Sequence, residues 1–474
     1  MKKLFLNLVI IILINLYFQN HSIAQKIPFT ASQDAQQQDF VNYIESEMKK
    51  LELKFIEMKA KGINDFPELR QEFERLRTID PYIRTIPGNA REIANQKVAQ
   101  QLEVQAKVKS SNVAIPNVVW KERGPNNVGG RTRAIMFDPN DPTKHKLWAG
   151  GVSGGLWSMD DYTNPLINWH KVDDFWDNLT VSSIAYDPNN PNIFYVGTGE
   201  RHSNLLSGVG GGMWKTTDGG NTWNRLNSTI PTYGEYNTIA GAMLQILKIV
   251  VSSNGTIFAA TYGGVLKSTD GGLSWSFALP SFSVNNYPTT DLEILSDGKL
   301  IAGFGGASGI YKSTDAGGTS WNKITPSFVS PYSQVELAVS TSGEIIYAIG
   351  TGGWLIKSTD GGNSWVNLSV NAISFYQAGY NFVMEVHPTD PNKVYIGMGT
   401  YSRSFDGGNT WVNSNYGDLG HPDQHVLLFS PNNSNDVIIG NDGGVYYTNQ
   451  MNNSTVISPA TINLNRGYNT TQFY

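Results

Sequence analysis

The sequence predicts an all-β fold: a β-propeller of about seven four-stranded antiparallel blades, preceded by a small α-helical segment. Three observations carry this. A short box of the form Ser/Thr-x-Asp-Gly-Gly-x-Ser/Thr-Trp recurs along the chain. Each copy stands between two short apolar runs. A strand–turn–strand phrase, often with Pro at the turn, precedes each one.

The boxes read TTDGGNTW (Thr216 to Trp223), STDGGLSW (Ser268 to Trp275), STDGGNSW (Ser358 to Trp365) and SFDGGNTW (Ser404 to Trp411). STDAGGTSW (Ser313 to Trp321) carries one extra residue, and a degraded copy holds Ser158, Asp160 and Trp169. Their aspartates are Asp160, Asp218, Asp270, Asp315, Asp360 and Asp406, spaced by 58, 52, 45, 45 and 46 residues. A period in this range means one supersecondary unit per repeat. Asp-Gly-Gly demands a tight turn, because glycine adopts positive φ without penalty. The Asp and Ser/Thr side chains hydrogen-bond the backbone of their own turn. The tryptophans Trp223, Trp275, Trp321, Trp365 and Trp411 are expected to plug gaps between neighbouring sheets. The aspartates are therefore read as structural rivets, remote from any site.

Each unit supplies an inner strand, a turn, a second strand, a loop, a third strand, the box and a fourth strand. In LKIVVSSNGTIFAATYGG the Pro turn is replaced by Asn-Gly, a strong hairpin signal. Seven inner strands are expected to begin near Arg133, Ser182, Gln245, Leu292, Val335, Phe382 and His425. Four antiparallel strands per unit, arranged radially, make propeller blades. The stretch VVWKERGP, from Val118 to Pro125, could add an outer strand that closes the ring.

The chain of 474 residues has room for one large repeat domain and a smaller one. It has no Cys, which excludes disulfides and thiolate metal sites, and its seven His are scattered. No metal or cofactor is expected. From Val113 onward the net charge is −8, which argues against nucleic acid or an anionic membrane as partner. At the start, Lys2 and Lys3 precede an apolar run from Leu4 to Phe18 and the small-residue stretch Ser22-Ile23-Ala24. That predicts a signal peptide over residues 1–24 and a secreted or cell-surface protein with no membrane span after cleavage.

Residues 25–112 read as a helical segment, and 113–474 as the propeller. Phe40, Ile44, Met48, Leu51, Phe55 and Met58 recur at helical spacing. Phe66, Leu69, Phe73 and Leu76 mark a second helix, and Ala90 to Lys109 a third. A docked helical hairpin or spacer is the simplest role; a pro-segment or a partner-binding coiled coil is the alternative.

With the boxes, NNVGGRTRAIMFDPNDP and GNDGGVYY in view, the chain resembles the Asp-box (BNR) repeat propellers from about Val118 to the end. Within these it is most similar to the branch shared by xyloglucanase-type glycoside hydrolases and sortilin-type receptor ectodomains. Similar exported bacterial proteins often carry a C-terminal sorting domain of the type IX secretion route. The terminal NLNRGYNTTQFY resembles the start of a further repeat, so a fragment of a longer protein is expected. The xyloglucanase resemblance implies two carboxylates, one of them just before a Gly-Gly between strands two and three of a blade. The matching positions hold Val152 in GGVSGGLW and Asn441 in GNDGGVYY, with Asp442 one step out of register. The Arg-Ile-Pro signature of sialidases is absent.

Loops at one face of the ring hold polar and aromatic groups suited to a ligand. The candidates are Arg131, Arg133, Trp176, Glu200, His202, Tyr233, Tyr236, Asp423 and His425, with His425 facing the central channel and able to bond Asp423. Exposed aromatics stack on sugar faces, and acids orient hydroxyls. Three functions stay open: a binding module for a glycan or an extracellular protein, a xyloglucanase-like glycoside hydrolase that needs a second propeller, and a structural or adhesive surface protein. Catalytic residues and oligomeric state are not specified by the sequence.

Overall fold

The computed structural model describes residues 31–61, scattered positions from 69 to 104, and residues 126–470 except 174, 175, 177, 201–207, 233–236, 282–287, 307, 330–333, 376, 377 and 416. The predicted signal peptide and the expected closing strand at 118–125 lie outside the described residues. The chain divides into two compact units, Met1–Pro87 and Gly88–Tyr474.

The first unit contains the helix Ala31–Ala60. Its Ile44 and Leu51 are buried with Leu76, and Phe40, Met48, Phe55, Leu69 and Phe73 pack around them. This is the face that the 3.6-residue spacing predicts. Described positions between 69 and 77 and between 94 and 104 are also helical. Among the described residues no helix is long and apolar enough to cross a membrane.

The second unit is a seven-bladed propeller of four-stranded antiparallel blades. The innermost strands are Thr132–Phe137, Val181–Asp187, Ile246–Val251, Thr289–Ile294, Val335–Val339, Val383–His387 and Gln424–Phe429. Each blade takes its four strands from one continuous stretch of chain, including the seventh, which ends on Ile462–Asn463. Second strands such as Ile346–Gly350 are buried along their whole length. They have lost the in–out alternation of a surface sheet because neighbouring blades cover both faces.

Seven apolar clusters hold the ring, one in each gap between blades. Trp148 and Leu156 of blade one meet Val181, Phe194 and Trp214 of blade two. Ile438 and Val445 of blade seven meet Ile135, Leu147 and Trp157 of blade one, which closes the circle. Trp169 Nε1 donates to the Leu464 carbonyl at 2.6 Å across that last gap.

The boxes act on their own turns. Asp360 accepts from Ser358 Oγ (2.8 Å), Ser364 N (2.8 Å) and Ser364 Oγ (2.6 Å). Asp218, Asp270 and Asp406 repeat this pattern. Gly219 and Gly220 have φ of +70° and +91°. A Cβ on Gly220 would stand 2.3 Å from Trp148 of the neighbouring blade, so glycine is required twice over. The degraded copy departs from the pattern. Asp160 is exposed and faces His170 at 3.8 Å, and the adjacent Asp161 bonds Thr163 instead.

The lysine at the end of strand three adds a contact that the repeat alone did not reveal. Lys215, Lys267 and Lys312 donate to the carbonyls of Gly271 (2.9 Å), Gly317 (3.0 Å) and Gly361 (2.6 Å), each in the box of the next blade. The box thus receives a charged hydrogen bond from its neighbour.

Candidate functional site

The innermost strands surround a channel whose cavity is about 240 Å³. That leaves room for a small molecule. In five blades the innermost strand carries a β-bulge near its start, at Arg133, Ser182, Leu247, Thr290 and His425. A bulge leaves one residue out of the ladder and re-aims its side chain. Arg133, Ser182, Leu247, Thr290 and His425 all line the cavity.

At the mouth, four expected residues come together. Arg131 donates to both oxygens of Glu200, at 2.8 and 3.1 Å, and Arg133 Nε reaches Glu200 at 2.5 Å. Glu200 is 1 % exposed, so the two guanidinium groups neutralise a carboxylate that could not otherwise be buried. Arg133 also donates to the Tyr380 carbonyl at 2.9 Å. Arg131 lies over the Tyr380 ring, 4.7 Å from its centre.

The hub of this network is Asp442. It accepts from Arg131 Nε (3.3 Å), His425 Nε2 (2.6 Å) and the Tyr380 hydroxyl (2.6 Å). Burial opposes its charge, but the hydrogen bond and charge of His425 and the charge of Arg131 hold the carboxyl well below the usual range. His425 is lowered to about 4, by burial first and then by Arg133. Burial, followed by the Asp442 charge, raises Tyr380.

His425 therefore pairs with Asp442 and not with Asp423. Asp423 accepts instead from Asn381 Nδ2. It has a φ of 65°, in the left-handed region, and Leu419 in the same loop has 64°. Such strain persists only where the surroundings impose it. Burial, then the charge of Asp442, raises the Asp423 carboxyl.

Trp176 does not join this group. It is 6 % exposed and stacks on Trp214 at 5.0 Å and 10°, inside the cluster between blades one and two. An aromatic expected on the rim is core, because neighbouring tryptophans offered it a dry surface. His202, Tyr233 and Tyr236 lie outside the described residues.

The same channel wall carries a set that the sequence alone did not single out. Lys248 Nζ is 2.8 Å from Asp291 and also bonds Glu293. Glu336 and Glu385 line the same cavity. A usable signal was present: ILKIVV, TTDLEI and VMEVH each place a charge inside an apolar strand. Among the described residues no group of three or more His, Cys, Asp or Glu could hold a metal ion.

No family model matches the chain. A stretch of 153 residues is 29 % identical to xyloglucanase Xgh74A of Acetivibrio thermocellus, covering 31 % of this chain and 18 % of that protein. A probable oligoxyloglucan-reducing end-specific xyloglucanase of Neosartorya fischeri is 28 % identical over 156 residues, 30 % of this chain and 17 % of its own length. Among solved structures, the GH74 xyloglucanase of Xanthomonas campestris has a TM-score of 0.55 at 16 % identity, covering 72 % of this chain and 55 % of that one. The GH74 enzyme of Niastella koreensis has a TM-score of 0.52 at 19 % identity, covering 71 % and 54 %.

The chain is similar to GH74 xyloglucanases. The structural likeness establishes a shared propeller fold. The chain matches under a fifth of the length of these curated relatives and about half of each solved GH74 chain. Of the two positions implied by the xyloglucanase pattern, Val152 is a buried apolar side chain. Asn441 accepts from Gly443 N at 3.0 Å and is fully buried, and the carboxylate of the next residue, Asp442, is 20 % exposed.

Proposed function

We propose that this propeller is one half of a secreted, GH74-like glycoside hydrolase that holds a xyloglucan-type β-glucan across its channel mouth. The supporting observation is Asp442. It is a carboxylate immediately before Gly443-Gly444, kept ionised by His425, Arg131 and Tyr380, in a chain similar to xyloglucanases. Glycoside hydrolysis needs one ionised and one proton-bearing carboxyl on either side of the bond. Asp442 suits the first role. Asp423, raised by burial and by Asp442, suits the second. A second propeller supplies the other wall of the cleft in this reading, and the signal peptide sends the protein out of the cell.

The test is release of reducing ends by the full-length protein from xyloglucan, mixed-linkage β-glucan and cellulose. Release from xyloglucan is expected, with D442N and D423N each slowing it by about 10²–10⁴-fold. Release unchanged in both variants would remove these residues from the mechanism.

A second reading is a glycan-binding module without turnover. It is favoured by the three donors that already occupy Asp442. Retention on a xyloglucan affinity gel with no reducing ends formed would select it.

A further inference from the structure

Two consecutive residues of blade six hold two carboxyls of blade seven. The Tyr380 hydroxyl donates to Asp442 Oδ2 at 2.6 Å, and Asn381 Nδ2 donates to Asp423 Oδ1. Tyr380 and Asn381 stand just before the innermost strand Val383–His387, and Asp423 just before Gln424–Phe429, so both bonds cross from one blade to the next. Asn381 is fully buried. It is flanked in the chain by Ala378 and Phe382, both in the apolar cluster between blades five and six, so its amide is a donor at a fixed place.

The two carboxyls are held differently. Both oxygens of Asp442 are occupied, Oδ1 by Arg131 and His425 and Oδ2 by Tyr380. Asp423 has Asn381 on Oδ1, and among the described residues its Oδ2 has no hydrogen-bond partner. An amide NH₂ can only donate. The oxygen that faces it therefore keeps its lone pairs, and a proton on Asp423 sits on Oδ2. The backbone is fixed as well. Asp423 is held at a φ of 65° between the Asn381 bond and the bond from Gln424 N to the Met398 carbonyl at 2.8 Å.

We propose that Asn381 is a positioning residue for Asp423, turning its carboxyl so that Oδ2 is the oxygen that delivers the proton to the glycosidic bond. This rests on the reading of Asp423 as the proton-bearing carboxyl. In the step, the Oδ2 proton passes to the departing glycosidic oxygen as its bond to the anomeric carbon breaks. The water that adds to that carbon supplies the proton that restores the acid. Asn381 also tunes the acid. Burial, then the charge of Asp442, raises Asp423, and the Asn381 bond opposes them, with the charges of His421 and Arg131. An acid works best when it holds its proton at the working pH and still gives it up readily. Without Asn381 the carboxyl rises further and loses its fixed orientation.

The pH dependence of kcat/KM on xyloglucan, measured with the full-length protein, tests this. In the parent the rate should fall at high pH as Asp423 loses its proton. In N381A that basic limb should move up by about one pH unit, the size of one hydrogen bond to a carboxylate. The kcat should fall by about 10–10²-fold with KM unchanged. N381D keeps the side-chain shape, removes the donor and should move the limb in the same direction. A residue needed only for folding would lower the rate at every pH and leave the limb in place. A limb that stays, or moves down, in a folded N381A or N381D while D423N is slow overturns this inference and leaves Asp423 as the acid. Sugar release by D423N at the parent's rate, or none by the parent, overturns both. Should N381A not fold, N381D decides alone.

Discussion

One guanidinium nitrogen of Arg131 holds both carboxylate oxygens of Glu200, at 2.8 and 3.1 Å, across the gap between blades one and two. Arg131 also reaches Asp442 of blade seven, so this side chain ties together three blades at the seam where the ring closes. Among the described residues no strand crosses that seam, because each blade is continuous in sequence.

Removing Glu200 should therefore be severe. E200A removes the carboxylate that Arg131 and Arg133 share, leaving Arg131 with Asp442, and about 3–5 kcal/mol of stability should be lost. Urea denaturation measures it. In a double-mutant cycle, R131M with E200L should lose less than the two single changes together; strict additivity would show that the pair does not act as a unit.

The buried His425 and the half-buried Glu385 predict the shape of the stability–pH curve. His425 is lowered to about 4 from 6.5, so its contribution is complete above pH 6.5 and is lost as pH falls toward 4. Glu385 is raised to about 8 from 4.5, so its contribution is complete below pH 4.5 and is lost as pH rises through 8. Between 4.5 and 6.5 the two trends oppose each other, and from 6.5 to 8 stability declines at up to about 1.4 kcal/mol per pH unit. E385Q should make the decline shallower, with the raised Glu293 carboxyl keeping part of it. The charges facing these groups are Arg131, Arg133 and Asp442 at His425, and Lys248, Asp291 and Glu293 at Glu385. Urea midpoints across this range provide the check.

Trp176 separates core from site. W176A should cost about 3–5 kcal/mol by leaving a cavity beside Trp214. Glycan retention measured well below the melting temperature should be unaffected. Loss of retention with unchanged melting would return Trp176 to the binding surface.

The lysine bridges between blades are testable singly. K267M removes the 3.0 Å bond to the Gly317 carbonyl and should cost about 1–2 kcal/mol. K312M should behave alike at Gly361. Guanidinium unfolding curves identical to the parent in both variants would show the bridges to be idle.

D360A unties Ser358 and Ser364 within one turn. It should lower the melting temperature without changing sugar release or retention. A fall in either activity at a temperature where the variant is folded would contradict the structural role of the box.

The xyloglucanase pattern directs attention to residues 152 and 441, and the ring brings forward Asp442 instead. The reason lies in the β-turn after Val437–Asn441. Asn441 turns back to cap Gly443 N, and the next side chain, Asp442, is the one that accepts from Arg131, Tyr380 and His425. Trp176 failed as a rim residue for a complementary reason. Exposure depends on what a loop packs against, and Trp214 and Trp223 stand 38 and 47 residues further along the chain.

The sequence by itself determined the number of blades, their four-stranded make-up and the closed turns. Each box completes its own hydrogen bonds within a few residues, so local chemistry writes the period directly. Only the tertiary structure decided the site. Arg131 meets Glu200 and Asp442 across 69 and 311 residues, and such meetings require the circle to close and the bulges to turn side chains inward. Closure is a property of seven packed gaps acting together, and no single stretch of sequence contains it.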